Sequence, residues 1–288
     1  MYDLIERSFL HIVDTIFNKW PRPVPALSRL AACKIVSHRG QHDNLAIKEN
    51  TLTAFDAAVG AGVWGLEFDI RWTRDLKPVV FHDHNLMRVF NDPLEIQKTD
   101  RQALIGRFPL IPTLEEVLDR YGGRVHLMVE LKAEHYPDPQ RQTHMLADFF
   151  SGLAPEKDFH FLSLDPDMFR HVGFAPPGAF LPVAQLNFQT FSRLALSRGY
   201  AGVAGHFLFI NKRMAGRHMA RGQRVGVGYP CSANSLFREV NRGVEWIFSN
   251  HAVEMQRVVD RYAGKVEGTE ARGWKTETLN RAQSTLRK

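Results

Sequence analysis

The chain has 288 residues, 44% of them hydrophobic, and 37 basic against 31 acidic side chains give a formal charge of +6. That length holds one large core or two small ones, since an α/β barrel alone reaches about 250 residues. The basic excess suits anionic small molecules and equally an incidentally basic surface; it lacks the concentrated patch that nucleic acid would want, so no nucleic-acid partner is expected.

Residues 3–20 carry Leu4, Ile5, Phe9, Ile12, Val13, Ile16, Phe17 and Trp20. This spacing predicts a helix with a broad apolar stripe, ended by Pro21, Pro23 and Pro25. Two readings stand: a helix packed against its own domain, or one lying in a membrane interface where a lipid-related substrate is met. Mixed charges weaken the second. From Lys34 onward short apolar runs alternate with helical segments. A strand is expected at 35–38. A helix follows at 51–60, capped by Asn50 or Thr51, with Leu52, Phe55, Ala58 and Val59 on one face. Strands come next at 64–72 and 79–82. A helix over 113–121 lies between Pro112 and Gly122. The pattern continues with a strand at 125–131, a helix at 145–153 and a strand at 159–164. Further strands are expected at 180–184, 201–205, 225–229 and 246–249, with helices at 189–197, 212–220 and 234–242 between them. Residues 265–288 are polar and poor in apolar side chains, which predicts a frayed helix or disordered tail. The expected organisation is a helix and linker over 1–33, a strand–helix domain over 34–264 and a polar tail over 265–288.

Strand–helix alternation implies a parallel sheet with helices outside it. The strand at 79–82 follows 64–72 too closely for a parallel crossover, which takes a dozen or more residues, so it is the return arm of a hairpin. Eight parallel strands remain, the number that closes a (β/α)₈ barrel. The fold class predicted is therefore an α/β TIM barrel with a small insertion after strand two and an N-terminal amphipathic helix. Cys33 and Cys231 are too few and too far apart for a disulfide framework, and two buried thiols in a reducing compartment are expected. No apolar run approaches the ~18 residues that span a bilayer. Asp3, Glu6 and Asp14 interrupt the N-terminal apolar content, so no signal peptide is read there. The expected location is the cytoplasm, with peripheral membrane contact through residues 3–20 under the second reading of that helix.

Residues two apart on a strand share a face. Glu67 and Asp69 therefore project together, with Leu66, Phe68 and Ile70 opposite. Glu130 and Lys132 do the same, with Leu127, Val129 and Leu131 opposite. Carboxylates aimed into a barrel need a cation to hold them. In such barrels the active site lies at the C-terminal ends of the strands. His38 and Arg39, Asp69, and Lys132 all fall at strand ends, and the hairpin returns His82 to the same rim. His42, His84, His206 and His251 are weaker candidates, and Trp64 and Trp246 read as packing.

The ordered set Ser37-His38-Arg39-Gly40, Glu49-Asn50-Thr51 with Ala54-Phe55, Glu67-Phe68-Asp69 and Val79-Val80-Phe81-His82-Asp83 resembles the glycerophosphodiester phosphodiesterases. These belong to a wider group of phosphatidylinositol-phospholipase-C-like phosphodiesterases. Ile111-Pro112-Thr113-Leu114-Glu115, Glu130-Leu131-Lys132 and Gly243-Val244-Glu245-Trp246-Ile247-Phe248 continue the match, which covers roughly residues 34–260. The resemblance implies His38 and His82 as the acid–base pair and Glu67, Asp69 and Glu130 as ligands of one divalent cation. It further implies Arg39 and Lys132 as phosphate-binding residues, with Glu49 and Asn50 supporting the substrate site.

The chemistry wants these types. A phosphodiester repels nucleophiles, and a hard cation on carboxylate oxygens offsets its charge; three carboxylates suit Mg²⁺ or Ca²⁺ better than Zn²⁺. Arg39 can grip two phosphoryl oxygens while Lys132 supplies a point charge. Two imidazoles can take one proton and give another. The sequence leaves open which histidine is the acid, and whether water attacks directly or a substrate hydroxyl first forms a cyclic phosphate. It also departs from the family pattern: Lys48 replaces a proline, Asp75-Leu76-Lys77 replaces an Asp-Gly turn, Gly228-Tyr229-Pro230-Cys231-Ser232 replaces Trp-Thr-Val-Asn, and Ser249-Asn250 replaces Thr-Asp. The connection from Asp83 to Ile111 is short, which predicts an open site for bulkier or lipid-like diesters. The expected activity is hydrolysis of a glycerophosphodiester, a small or lipid-derived molecule, to sn-glycerol 3-phosphate and an alcohol. The competitors are a lysophospholipase D or phospholipase-C-like lipid phosphodiesterase on the same fold, and a barrel that binds ligand without turnover.

Overall fold

The two ends of the strand series meet. In the computed structural model, which describes residues 19–264, β1 (Lys34–His38) pairs in parallel with both β2 (Gly65–Trp72) and β9 (Trp246–Ser249). Between them run β4 (His126–Leu131), β5 (Phe159–Ser163), β6 (Phe180–Ala184), β7 (Gly202–His206) and β8 (Arg224–Gly228), each parallel to its neighbour. The result is the closed barrel of eight parallel strands that the sequence predicts. β3 (Pro78–Val80) is antiparallel to β2, with Ile70 opposite Val80 and Trp72 opposite Pro78. Only Thr73 to Lys77 join the two, so a hairpin is the one connection available.

The helices that return the chain are α1 (Leu27–Ala32), α2 (Leu52–Gly60), α3 (Met87–Phe90), α4 (Arg101–Arg107) and α5 (Leu114–Tyr121), then α6 (Pro139–Phe150), α7 (Phe188–Arg198), α8 (Lys212–Met219), α9 (Ala233–Asn241) and α10 (Ala252–Tyr262). Local chemistry sets their starts. The Thr51 hydroxyl accepts from the Ala54 N–H at α2, and Thr113 and Glu116 form a reciprocal capping box at α5. The helix expected at 145–153 begins at Pro139, because Asp138 caps it and proline is preorganised for the first helical position. No helix was read after the last strand, yet α10 occupies that place.

The connection after the hairpin is itself folded. It holds α3, α4 and a 3₁₀ turn (Ile96–Lys98) around its own small core of Val79, Phe81, Leu86, Val89, Ile96, Leu104 and Ile111. The helix expected over 3–20, except its last two positions, and the tail over 265–288 lie outside the described residues.

Strand alternation divides the main core into two layers. Leu66, Phe68, Ile70, Leu127, Val129 and Leu131 face outward against the helices, where Phe55 and Val117 meet them. Val36, Met128, Leu162, Leu181, Ala204, Trp246 and Phe248 form a second cluster from the other strand face and plug the barrel interior. Gly226 makes room for that plug: a Cβ there would stand 2.8 Å from the Phe248 ring and 3.0 Å from Ala204 Cβ. Burying each large side chain contributes ~1.5–3 kcal/mol. Cys33 and Cys231 are half-buried rather than the fully buried thiols expected; burial and the Glu245 carboxylate push the Cys33 pKa up to about 12. No helix among the described residues is long and apolar enough to cross a membrane.

Candidate active site

Register brings the charged residues to one level. His38 is opposite Glu67 across β1 and β2, and Asp69 is opposite Glu130 across β2 and β4. All four point inward above the apolar plug, His38 and Glu130 at the C-terminal ends of β1 and β4, and Glu67 and Asp69 at the same level of β2, which runs on into the hairpin.

The chain leaving β1 is bent to fit. Arg39 adopts a left-handed backbone (φ 57°), and Gly40 follows at φ 80°. A Cβ on Gly40 would come within 2.7 Å of Ala54 Cβ on α2, so only glycine lets the loop approach that helix. Asn50 is also left-handed, at φ 56°. Hydrogen bonds offset the ~1–2 kcal/mol such a conformation costs a non-glycine residue: Arg39 N–H donates to the Glu67 carbonyl and Asn50 N–H to the Arg39 carbonyl, both at 2.9 Å.

Glu67, Asp69 and Glu130 are buried, and one oxygen of each lies within 4.8 Å of the others, a grouping that could hold a metal ion. Asp69 is the hub. Its Oδ2 accepts from Asn50 Nδ2 at 2.8 Å and lies 3.3 Å from Arg39 Nε, while Oδ1 is 2.6 Å from Lys132 Nζ. Lys132 Nζ also donates to Glu130. Burial alone would raise Asp69, but Lys132, His82 and Arg39 outweigh it and hold this carboxyl well below its usual range. Burial opposes the Lys132 charge, and Asp69 and Glu130 reverse that, raising its pKa. Glu67 goes the other way: burial, then the charges of Asp69 and Glu130, push it well above the ordinary carboxyl value. Its Oε1 is buried with no hydrogen-bond partner among the described residues. An all-oxygen donor set with one unsatisfied buried oxygen fits a hard divalent cation.

The two histidines have different partners. His38 Nδ1 lies 2.6 Å from the Asn250 amide oxygen, so Nδ1 carries the proton and Nε2 presents a lone pair. That Nε2 is 3.8 Å from Glu67 Oε2 and 3.5 Å from the Tyr229 hydroxyl, whose ring lies against the imidazole with centroids 4.7 Å apart. Burial, then Arg39, lowers the His38 pKa well below its usual value. His82 sits on the more accessible side of the mouth, and its Nδ1 lies 2.6 Å from Asp83 Oδ1.

A hydrogen-bonded arc joins the two histidine loops. Asp83 Oδ2 accepts from Arg88 Nε at 2.7 Å, and Arg88 forks onto Glu49 at 2.6 and 2.8 Å. Glu49 in turn accepts from Arg39 at 3.0 Å and from Asn44 at 2.6 Å. Burial would raise the Glu49 carboxyl, and Arg88 and Arg39 more than reverse it. Burial also works against the Asp83 charge, yet His82 and Arg88 bring its pKa down to about 2. Arg71 Nε donates to the His82 carbonyl at 2.8 Å and pairs with Glu134 on its other side, fixing the backbone that carries the imidazole.

The structure thus gathers His38, Arg39, Glu49, Asn50, Glu67, Asp69, His82, Glu130 and Lys132 at one rim. Sequence reasoning missed Asp83, Arg88, Tyr229 and Asn250. Asp83 was legible as the acid beside His82. Arg88 sits in an insertion whose path no local pattern reveals, and Tyr229 and Asn250 lie where the chain departs from the family strings. Of the weaker candidates, His206 ends β7 stacked on Phe207, with burial, then Arg238, lowering its pKa to about 4.

Known proteins match parts of this chain. The model of the glycerophosphoryl diester phosphodiesterase family matches residues 38–194. A glycerophosphodiester phosphodiesterase of Caldanaerobacter subterraneus is 34% identical over 111 residues, covering 34% of this chain and 45% of that protein. One from Bacillus subtilis is 30% identical over 122 residues, covering 35% of this chain and 41% of that protein. The alignments therefore span less than half the length of these curated relatives. Among solved structures, the glycerophosphodiester phosphodiesterase of Thermotoga maritima superposes with a TM-score of 0.65 at 20% identity, over 78% of this chain and 98% of that one. An Oleispira antarctica phosphodiesterase in complex with the product sn-glycerol-3-phosphate gives 0.66 at 22% identity, over 79% and 96%. Those structures share the barrel, and the family model spans more than half of the sequence: the chain belongs to the glycerophosphoryl diester phosphodiesterase family.

Proposed function

We propose that this chain hydrolyses glycerophosphodiesters to sn-glycerol 3-phosphate and an alcohol. The observation that carries the reading is the convergence of three buried carboxylates, two cations and two differently partnered imidazoles on one strand-end rim. Glu67, Asp69 and Glu130 would hold one divalent cation, Mg²⁺ or Ca²⁺. When bound, it offsets the phosphoryl charge and orients the diester. Arg39 and Lys132 bind the phosphoryl oxygens; both are charged and held by carboxylates before substrate arrives, so little reorganisation is needed.

The partners of the histidines assign their roles. Asn250 is a neutral acceptor that fixes His38 with its Nε2 lone pair toward the carboxylate cluster, which suits a base that takes the proton of the nucleophile. Asp83 holds His82 through Nδ1 and leaves Nε2 for the substrate, which suits an acid that gives a proton to the leaving alkoxide. Glu49 and Asn50 position Arg39 and Asp69 rather than touch the reacting atoms.

A second reading, a lipid diester such as a lysophospholipid, is favoured by a separate observation. Leu45 (84% exposed), Leu186 (86%), Met87, Leu164 and Phe209 all stand out from segments that follow strand ends, so the mouth is rimmed by apolar side chains. Phosphorus NMR of products from glycerophosphocholine and lysophosphatidylcholine, with and without chelator, tests both. Turnover of the soluble diester that Leu45→Ser/Leu186→Ser leaves intact supports the first reading. Loss of turnover confined to the lysolipid in that variant supports the second. A chain that turns over neither is a binding barrel.

A further inference from the structure

The opposite end of the barrel carries a feature the phosphodiesterase reading does not use. A cavity of about 420 Å³ opens at the N-terminal ends of the strands, within the ~300–1,000 Å³ of ordinary small-molecule sites. Lys34 and Arg224, which begin β1 and β8, line it with Arg221 from the preceding loop. Trp64, His160 and Trp246 supply aromatic walls.

The polar groups there are only partly satisfied. Lys34 Nζ rests 4.7 Å over the Trp64 ring instead of on a carboxylate of the described residues. Arg224 reaches Glu245 at 2.9 Å, which leaves its guanidinium nitrogens unequally used. Trp246 is 3% exposed, and its indole N–H has no partner among the described residues. His160 is held from behind: its Nδ1 lies 2.7 Å from His126 Nε2, and His126 Nδ1 lies 2.9 Å from the Lys157 carbonyl. That chain ends on a carbonyl, so both Nδ1 atoms donate and His160 Nε2 is left for other use. Three cations line the cavity with one carboxylate, Glu156, while Glu245, which pairs with Arg224, is not among the lining residues. Burial, then Arg224, lowers the Lys34 pKa, with Glu245 opposing, as an under-compensated cation would show.

We propose that this floor cavity is a second binding site, for a small organic oxyanion. Lys34, Arg221 and Arg224 hold its phosphoryl or carboxylate group, and Trp64 and Trp246 flank its apolar or ring portion. The site is separate from the rim, where Arg39 and Lys132 serve the diester.

Calorimetric titration of the full chain with phenyl phosphate, benzoate and inorganic phosphate tests this. Phenyl phosphate or benzoate should bind saturably, and more tightly than inorganic phosphate. The order of the first two names the anionic group, and either order upholds the site. Lys34→Met with Arg224→Gln should weaken binding about tenfold or more. Lys132→Ala at the rim should leave it unchanged. Arg221 is exposed, so Arg221→Ala keeps the fold and should cost about threefold if the strand-end variant does not fold. Absence of saturable binding to the native chain overturns the proposal. So does binding that Lys132→Ala abolishes and the floor variants leave intact.

Discussion

At the mouth of the barrel, carboxylates, an ammonium and a guanidinium share one small volume. At the floor, two imidazoles and a carbonyl share a single line of hydrogen bonds. Both ends bury titratable groups, and the difference is in how the burial is compensated. The floor chain is closed at one end and neutral: burial lowers His126 to about 4, and burial with the charges of His126 and Lys34 lowers His160 to about 3. The mouth keeps its charges by pairing them, and the pairing is uneven, with Asp69 contacted by Asn50, Arg39 and Lys132 while Glu67 retains an orphaned oxygen. The neutral imidazole line adds rigidity, whereas the unevenly paired carboxylates of the mouth have capacity to receive a cation. This contrast marks the mouth as the reactive end.

The largest effects should fall on rate at the mouth with the fold untouched. His38→Ala and His82→Ala should each lower kcat by about 10²–10⁴ while thermal unfolding stays near that of the native chain. A histidine variant that unfolds would make the imidazole structural. Asp69→Asn comes next, on stability: breaking the hub strands Lys132 and Arg39 with excess buried charge, and about 3–5 kcal/mol should be lost in denaturant unfolding. A loss as small as that of an exposed pair would show the charges to be solvated.

Glu67→Gln should act oppositely. With Glu67 raised above its unfolded value, ionising it in the fold is unfavourable, so its contribution to stability is lost as pH rises through and above the normal carboxyl pKa. Removing that charge should stabilise the chelated protein at neutral pH by on the order of 1–3 kcal/mol. The variant should also forfeit the rise in Tm that Mg²⁺ or Ca²⁺ gives the native chain. Equal Tm shifts in both proteins would place the cation elsewhere.

The floor predicts the smallest effect. A histidine whose folded pKa is depressed binds its proton mainly in the unfolded state, so stability is complete above about 6.5 and falls as pH drops toward the folded values. Urea unfolding should lose up to ~1.4 kcal/mol per pH unit for each of His126 and His160 in that window. The double variant His126→Phe/His160→Leu should flatten this slope. An unchanged slope would assign it to other groups.

The barrel was legible because strand and helix periods differ and because the segment from Thr73 to Lys77 is too short for anything but a hairpin. The inward pairs Glu67/Asp69 and Glu130/Lys132 followed from the two-residue strand period alone. The pairing across strands was not legible: whether Asp69 faces Glu130 depends on register, which closure of the barrel sets. Arg88 escaped because its partners Glu49 and Asp83 lie on separate loops. Asn250 and Tyr229 escaped because their contact with His38 joins the two ends of the chain. The small core around Leu86 and Leu104 was hidden by the brevity of its elements, each stabilised by packing rather than by helical propensity.

The most direct test is release of sn-glycerol 3-phosphate from glycerophosphocholine by the full chain, with added divalent cation and after complete chelation, in the native protein and in His38→Ala. Carboxylates and imidazoles acting as one site predict turnover in the native protein with cation and its collapse under either removal. Turnover that survives both chelation and loss of the His38 imidazole would contradict that claim.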